Sequence, residues 1–287
     1  DDCNFGFFRH NIGIIRRLPN NSINKLVLAT GIFYPDVGGP AIHVRKIAEA
    51  LVMAGFRPVV VTYGDNPQED DFSFVVRRSY RRRSKLLRWL VYSLLILRET
   101  WSAEIVYAFD LSAAGLPAFL AAKFLRKKFM IRIGGDPIWE RVVETGQRFI
   151  SLDEYYRRGL YRLDRPWFYR WVRYLVQHSD AIILYNQLFK NFYINYFGAQ
   201  ADIIVVISNP VYLRDSTSPV LPKNPIILFA GRFVAYKNLP LVIRAFAAAR
   251  PKLGQAKLYL IGHGPDQSAI ESQINQSPAR DQIVLRG

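Results

Sequence analysis

The sequence predicts an α/β protein built on parallel sheets, and three observations support that fold class. Short runs of apolar, often β-branched residues recur along the chain, and most are continuously apolar rather than alternating. Such runs are typical of strands buried on both faces of a parallel sheet. Helical stretches separate them, and alternating strands and helices are typical of doubly wound α/β domains. A chain of 287 residues has the length of about two such domains.

Six strands are predicted in the first part of the chain. They are Lys25–Thr30, Pro58–Thr62, Glu104–Phe109, Phe129–Ile133, Ala181–Tyr185 and Ile203–Ile207. Between the first two strands, apolar residues of Ala41–Ala54 recur at helical spacing, which predicts a helix that Gly55 ends. We therefore expect a first domain at 25–208, preceded by a loosely held N-terminal arm at 1–24, where no period is visible.

A proline-rich stretch at 209–225 interrupts this pattern and predicts an interdomain linker. The pattern then restarts at 226–287, with strands predicted at 226–230, 257–261 and 282–285 and helices at 239–250 and 267–275. Because a doubly wound domain normally holds about six strands, we expect the second domain to be incomplete. The natural protein is accordingly expected to continue beyond Gly287.

Composition narrows the function classes. Half of the residues are hydrophobic, which excludes intrinsic disorder, and the formal net charge is +16, which attracts anions. Nucleic acid, anionic lipid and phosphorylated small molecules all fit that charge. The single cysteine, Cys3, excludes an internal disulfide and fits a reducing compartment. No apolar run approaches the roughly 20 residues of a membrane span, so a cytoplasmic protein is expected. Four scattered histidines predict no metal site.

Two loops are candidates for binding phosphate. Gly38 and Gly39 follow the first strand and precede a helix, where glycine lets backbone amides approach an anion and the helix N-terminus attracts it. The alternative is a tight turn without a ligand. Arg232 and Lys237 occupy the equivalent loop of the second domain, where Arg binds a diphosphate as a fork and Lys as a point charge. The alternative there is a pair of solvated loop charges.

These loops lie in two of four stretches that together resemble the bacterial family 4 glycosyltransferases. Phe33–Leu51 resembles the start of these proteins, and Gly231–Phe246 resembles the opening of their second domain. Leu258–Pro265 resembles the Gly-x-Gly-Pro loop that follows, and Val206–Val211 resembles their hinge motif. The resemblance covers about residues 25–287 in the family's order.

The resemblance implies a GT-B fold, in which two Rossmann-like domains face each other across a nucleotide-sugar site. It implies a retaining enzyme that moves a sugar from a nucleoside-diphosphate donor to a glycan acceptor, without a metal or other cofactor. Gly38 and Gly39 would border the donor diphosphate, and Arg232 and Lys237 would neutralise it.

The catalytic residues are not assigned by this resemblance. Many members carry a histidine after the fourth strand, and this chain has Gly134 at that position. Asp136, two residues further on, is a candidate contact to the donor or the acceptor. The alternative role for Asp136 is that of a helix N-cap. The family's paired glutamates would lie beyond Gly287. His43 and His263 are further candidate contacts, although a histidine on the surface of a helix explains His43 equally well.

Two basic patches lie at residues 77–88 and 157–173. The first is followed by a helix-like run rich in leucine and aromatic residues, and the second has aromatic residues between its arginines. Such patches suit an anionic membrane surface, so we expect a lipid-linked or membrane-proximal acceptor and peripheral association with the inner face of the membrane. A solvated basic face over an aromatic core is the alternative. The chain has no recognised nucleic-acid motif, so nucleic-acid binding is not expected. A non-catalytic, truncated phosphate-binding module is the second alternative.

Overall fold

The computed structural model of the chain describes residues 24–36, 38–65, 71–82, 84–209 and 224–287. These residues form two compact units. The first contains the described residues up to Pro137 and those from Gly159 to Asn209, and the second contains 138–158 and 224–287. The predicted arm at 1–24 lies outside the described residues except for Asn24. The predicted linker at 209–225 lies outside them except for Asn209, Asn224 and Pro225.

The first unit is built on a seven-stranded sheet in which every strand pair is parallel, in the order β3-β2-β1-β4-β5-β6-β7. The strands are β1 (Lys25–Ala29), β2 (Arg57–Tyr63), β3 (Val75–Ser79), β4 (Ile105–Ala108), β5 (Lys128–Ile133), β6 (Ala181–Leu184) and β7 (Ile204–Val206). The chain order reverses between β1 and β4. In a doubly wound sheet, ligands bind at the carboxyl ends of the strands at such a reversal.

Helices connect the strands. They are α1 (Gly39–Met53), α2 (Lys85–Trp101), α3 (Gly115–Phe124), α4 (Pro137–Glu144), α5 (Leu152–Arg157), α6 (Tyr161–Asp164), α7 (Pro166–Gln177), α8 (Gln187–Phe197), α9 (Leu239–Leu253) and α10 (Gln267–Asn275). All of α5 and all but the first residue of α4 belong to the second unit.

The core of the first unit lies between its strands and α1. Leu26 and Leu28 on β1 and Ile105 on β4 are wholly buried, and they pack with Val44 and Ile47 of α1. Burial on both sheet faces explains why these strands are apolar at every position rather than at every second one. The six strands predicted in this part of the chain are therefore confirmed.

The strand β3 was not predicted. It forms the edge of the sheet beside β2, and in it exposed or half-buried residues precede a buried Ser79. Arg77 and Arg78, which the sequence analysis assigned to a basic patch, are strand residues here. Charged side chains are common on edge strands because they block pairing with other chains.

The second unit contains a three-stranded parallel sheet in the order β10-β9-β8, formed by β8 (Ile226–Ala230), β9 (Lys257–Ile261) and β10 (Ile283–Arg286). Its core includes Phe233, Ile243 and Leu258. The sequence placed residues 138–158 in the first domain, but the contacts group them with this unit. The reason is a contact between residues distant in sequence: the Trp139 ring lies 5.7 Å from that of Tyr236.

A tight turn follows β4 and carries the chain into α3. The Asp110 carboxylate accepts hydrogen bonds from the backbone N–H groups of Ser112 (2.8 Å) and Ala114 (3.0 Å). A Cβ placed on Gly115 would lie 1.9 Å from the Asp110 carbonyl oxygen. This turn therefore requires glycine at its last position because the backbone itself occupies the space of a side chain.

The variant Gly115→Ala tests this packing. An alanine normally stabilises a helix over glycine by up to about 1 kcal/mol, but here overpacking should cost about 1–3 kcal/mol. The urea midpoint of unfolding, followed by circular dichroism, should fall. The matched control is Gly134→Ala, since nothing lies within 4 Å of a Cβ at that position. An unchanged or raised midpoint for Gly115→Ala would contradict the account.

Candidate functional site

The predicted Gly-Gly loop lies at the N-terminus of α1. Gly38 occupies the N-cap position, α1 begins at Gly39, and Pro40 lies in the first turn. A Cβ on Gly38 would come 2.8 Å from the Ile32 side chain, whereas one on Gly39 would meet nothing within 4 Å. The first turn contains no acidic residue. Its free N–H groups are therefore suited to an anion.

His43 lies close behind this loop and is half-buried rather than on a solvated helix surface. Burial lowers the pKa of His43 below its ordinary value of 6.5, and the positive charge of Arg132 lowers the pKa further. The imidazole is therefore neutral near pH 7.

Arg132 is a residue that the sequence analysis did not single out. It lies on β5 and is buried, and its Nη2 donates hydrogen bonds to the Ile207 carbonyl oxygen (3.1 Å) and to Asn209 Oδ1 (2.9 Å). It thereby holds the chain segment that leaves β7. The sequence does contain a signal for Arg132, because a cation inside the apolar run Phe129–Ile133 indicates a buried charge with hydrogen-bond partners.

Asp136 lies in the turn between β5 and α4 and is 1% exposed. The Tyr193 hydroxyl donates to the Gly135 carbonyl oxygen of the same turn at 2.9 Å. The structure thus places Asp136 in a buried turn that directly precedes a helix. Its predicted contact with donor or acceptor stays a prediction.

In the second unit, the loop after β8 contains Arg232 and Lys237, and both are exposed. Arg232 Nη1 lies 3.6 Å from Glu144 Oε1 of α4, and Lys237 Nζ lies 5.4 Å from the centre of the Tyr236 ring. The chain forms a short 3-10 turn at Ala235–Lys237 before α9 begins. Two cations therefore lie in the loop that leads into a helix of 15 residues.

Backbone packing fixes the shape of this cationic loop. A Cβ on Gly262 would lie 1.9 Å from the Gly231 carbonyl oxygen, and one on Gly264 would lie 2.0 Å from that of Phe233. The Phe233 N–H donates to the carbonyl oxygen of His263 at 2.9 Å. The glycines of the Gly-x-Gly-Pro loop are thus explained by loop-to-loop contact, and the His263 side chain between them is exposed.

A cavity of about 410 Å³ adjoins the cationic loop within the second unit. Its walls include Trp139 and Val143 of α4, Phe149, Tyr236 and Asn238. Burial raises the pKa of Tyr236, and the nearby carboxylates of Glu140 and Glu144 raise it further. The sequence analysis missed this contribution of α4 because no local pattern indicates that the helix contacts the loop after β8.

Two further features concern the described ranges as a whole. These ranges contain no group of three or more His, Cys, Asp or Glu residues that could hold a metal ion. No helix among them is both long and apolar enough to cross a membrane.

Comparisons with known proteins match both parts of the chain. Residues 37–215 match the sequence model of the family described as Glycosyltransferase Family 4, and residues 215–287 match that of Glycosyl transferases group 1. A search of curated proteins gives no significant match.

Solved structures of three kinds of protein share the fold. HepE from Anabaena, in complex with UDP and glucose, is 15% identical with a TM-score of 0.64, over 92% of this chain and 68% of that one. A TarM variant from S. aureus, in complex with fondaparinux, α-GlcNAc-glycerol and UDP, is 10% identical with a TM-score of 0.62, over 92% and 77%. A putative UDP-N-acetylglucosamine 2-epimerase from Listeria monocytogenes is 13% identical with a TM-score of 0.59, over 92% and 69%.

The lowered pKa of His43 predicts a pH dependence of stability. In the folded chain His43 stays neutral at a pH where the unfolded chain binds a proton, so the free energy of unfolding should fall as pH drops below about 6.5. In His43→Gln this component disappears. Urea unfolding at about pH 7.5 and about pH 5.5 should therefore show a smaller loss for His43→Gln than for the wild type.

The matched control for this experiment is His263→Gln, which changes an exposed histidine of the second unit. At about pH 7.5 it should unfold at the same urea concentration as the wild type, because surface substitutions usually change stability by less than about 0.5 kcal/mol. Equal losses for His43→Gln and the wild type would contradict the assigned environment of His43.

Proposed function

This chain belongs to glycosyltransferase family 4, and we propose that it moves a sugar from a nucleoside-diphosphate donor to a glycan acceptor with retention of configuration. It has the GT-B fold, with a seven-stranded and a smaller three-stranded parallel sheet. The observation that carries the proposal is the cationic loop at the start of α9, where Arg232 and Lys237 are exposed and no helix residue of the first turn is acidic.

The chemistry of the donor explains why such a loop is needed. Negative charge grows on the nucleoside diphosphate as the glycosidic bond breaks. Cations and N–H groups already in position lower the barrier because they stabilise that charge without reorganising. In our proposal Arg232 and Lys237 bind the diphosphate, and the free N–H groups at Gly38 and Gly39 supply the second set of donors.

The ion pair between Arg232 and Glu144 is compatible with this role. The Arg232 side chain is 64% exposed and the two groups are 3.6 Å apart. An exposed pair of this kind is worth only about 0–1 kcal/mol, whereas a hydrogen bond to a charged group is worth about 1.5–3 kcal/mol. A diphosphate should therefore displace Glu144 from Arg232.

Metal independence is part of the proposal. In many enzymes a divalent cation neutralises the leaving diphosphate. Here Arg232 and Lys237 supply two positive charges on one loop, which match the charge that develops on the leaving group. If retention proceeds by same-face attack, the acceptor approaches from the face from which the diphosphate departs, and this brings it close to the same cations.

We further place the protein at the inner face of an anionic membrane, with a lipid-linked glycan as acceptor. The support is a surface formed by three helices of the first unit. Helix α2 packs on α3, and Phe119 of α3 lies 5.5 Å from Trp171 of α7. The three helices expose large apolar side chains: Leu90 and Leu94 on α2, Leu120 and Phe124 on α3, and Trp167 and Tyr174 on α7.

Basic residues border this three-helix surface. Arg170 and Arg173 are exposed on α7, and Lys123 is exposed on α3. Full burial of a large apolar side chain contributes about 1.5–3 kcal/mol, and membrane binding strengthens with buried apolar area and with electrostatic attraction to anionic lipids. The surface provides both. Three arginines of the basic patch at residues 77–88 bind partners within the first unit. Arg77 pairs with Glu99, Arg78 donates a hydrogen bond to the Tyr34 carbonyl oxygen, and Arg81 pairs with Asp36.

Two rival functions have distinct signatures. The fold is shared with nucleotide-sugar epimerases, and conversion of UDP-N-acetylglucosamine into an isomer, seen by proton NMR, would favour that reaction. A non-catalytic binding module would bind nucleoside diphosphate but release none from any donor sugar. The family match favours transfer over both.

Substitution of the two loop cations should weaken donor binding. We expect Arg232→Ala and Lys237→Ala each to lower the affinity for the best ligand among UDP, GDP and ADP by about tenfold or more. Isothermal titration calorimetry measures this directly. The matched control is Arg244→Ala, because Arg244 is exposed on the body of α9. Unchanged affinity in both loop variants would contradict the proposed site.

Substitution of the apolar surface should release the protein from vesicles. We expect the wild type to float with phosphatidylglycerol vesicles and a Leu90→Ser, Leu94→Ser, Phe124→Ser triple variant to stay in solution, since several kcal/mol of apolar burial are removed. Leu241→Ser, which changes an exposed leucine of the second unit, is the control and should float. A wild type that ignores anionic vesicles, or a triple variant that floats equally well, would contradict membrane association.

A further inference from the structure

A second cavity lies in the first unit, at the reversal of strand order between β1 and β4. It has a volume of about 270 Å³, and Gly31, Tyr63 and Ala113 form the wall on the side of the sheet. These residues follow or end β1, β2 and β4 at their carboxyl ends. A doubly wound sheet binds its ligands at this edge.

Three cations complete this cavity: Arg81, which follows β3, and Lys85 and Arg88 at the start of α2. Arg81 is tied down, because its guanidinium pairs with Asp36 and its N–H donates to Asp65 Oδ1 at 2.6 Å. Among the described residues, no carboxylate lies within ion-pair distance of Lys85 or Arg88. The Arg88 guanidinium lies 5.7 Å from the centre of the Tyr63 ring.

The start of α2 adds to the positive potential of the cavity. The helix has 17 residues, its N-cap Ser84 accepts a hydrogen bond from the Leu87 N–H at 3.4 Å, and its first turn contains no acidic residue. The positive end of the helix dipole and the side chains of Lys85 and Arg88 therefore act in the same place.

The acidic group at this sheet edge, Asp110, is already engaged by backbone donors. The Asp110 carboxylate is directed into the turn after β4, where it accepts the N–H groups of Ser112 and Ala114. The Tyr63 hydroxyl donates to the Ala113 carbonyl oxygen at 2.9 Å, so it too is occupied. The Tyr63 ring stacks on that of Tyr92 at 4.3 Å, so its face is covered as well. What the cavity leaves open to a ligand is a lysine, an arginine and the Trp89 side chain.

We propose that this cavity binds a phosphate group carried by the acceptor. An arginine fork, a lysine and a helix N-terminus together fit a phosphate. A water molecule occupies about 30 Å³ of liquid, so the cavity has room for a phosphate or a diphosphate. This assignment rests on the proposed function, because it names the class of acceptor: one that is phosphorylated near the hydroxyl that receives the sugar.

The experiment compares the wild-type chain with a Lys85→Ala, Arg88→Ala double variant. One arm titrates glycerol 3-phosphate by calorimetry, and the other sediments phosphatidylcholine vesicles with and without phosphatidic acid. Removal of both cations should weaken binding by about tenfold or more. The matched control is an Arg57→Ala, Arg244→Ala double variant, which removes two exposed cations of β2 and α9 outside the cavity.

The arms distinguish the sources of the phosphate. Loss of glycerol 3-phosphate binding in the Lys85, Arg88 variant supports a soluble phosphorylated acceptor, and loss confined to the phosphatidic acid vesicles supports a phospholipid-linked one. Equal binding by this variant and the wild type in both arms, or no binding by the wild type in either, overturns the assignment.

Nucleoside diphosphate binding is measured on the same samples. The Lys85, Arg88 variant should keep it, which shows that the variant folds. A wild type that binds no nucleotide but loses phosphate binding in the variant would refute the donor site and leave this cavity supported.

Discussion

Every strand pair formed by the described residues is parallel, and this constraint determines where function can reside. Parallel strands require a crossover between them, so the loops after successive strands open at one edge of their sheet. In the first unit that edge contains the start of α1 at Gly39, the Asp110 turn and the cavity beside Tyr63. In the second unit it contains the cationic loop after β8.

Close contacts between backbone segments fix the conformation of the loops at these sheet edges. Gly115 packs against the Asp110 carbonyl oxygen so closely that a side chain would not fit between them. Gly262 and Gly264 pack in the same way against the carbonyl oxygens of Gly231 and Phe233. The backbone of such turns is therefore held in one conformation, and this fixes the direction in which their side chains leave the chain. Arg232 depends on this arrangement because its neighbours on both sides are fixed by loop-to-loop packing.

Periodicity and loop chemistry predicted most of the fold because they are local. Continuous apolar runs identified β1, β2, β4 and their neighbours, and glycines and cations after strands identified Gly38 and Arg232 as candidates. The edge strand β3 was missed because its charged residues resemble a solvated patch. The buried Arg132, the contact of α4 with the loop after β8 and the three-helix surface were missed because each depends on contacts between residues distant in sequence.

Hydrogen exchange measured by mass spectrometry, with and without a saturating nucleoside diphosphate, tests the central claim most directly. If the donor diphosphate is held by the N–H groups of α1 and by the cationic loop, the nucleotide should slow exchange in two separate segments. These are the start of α1 at Gly38–Val44 and the loop at Gly231–Asn238. Protection of neither segment, or protection confined to one of them, would contradict a donor site built from both.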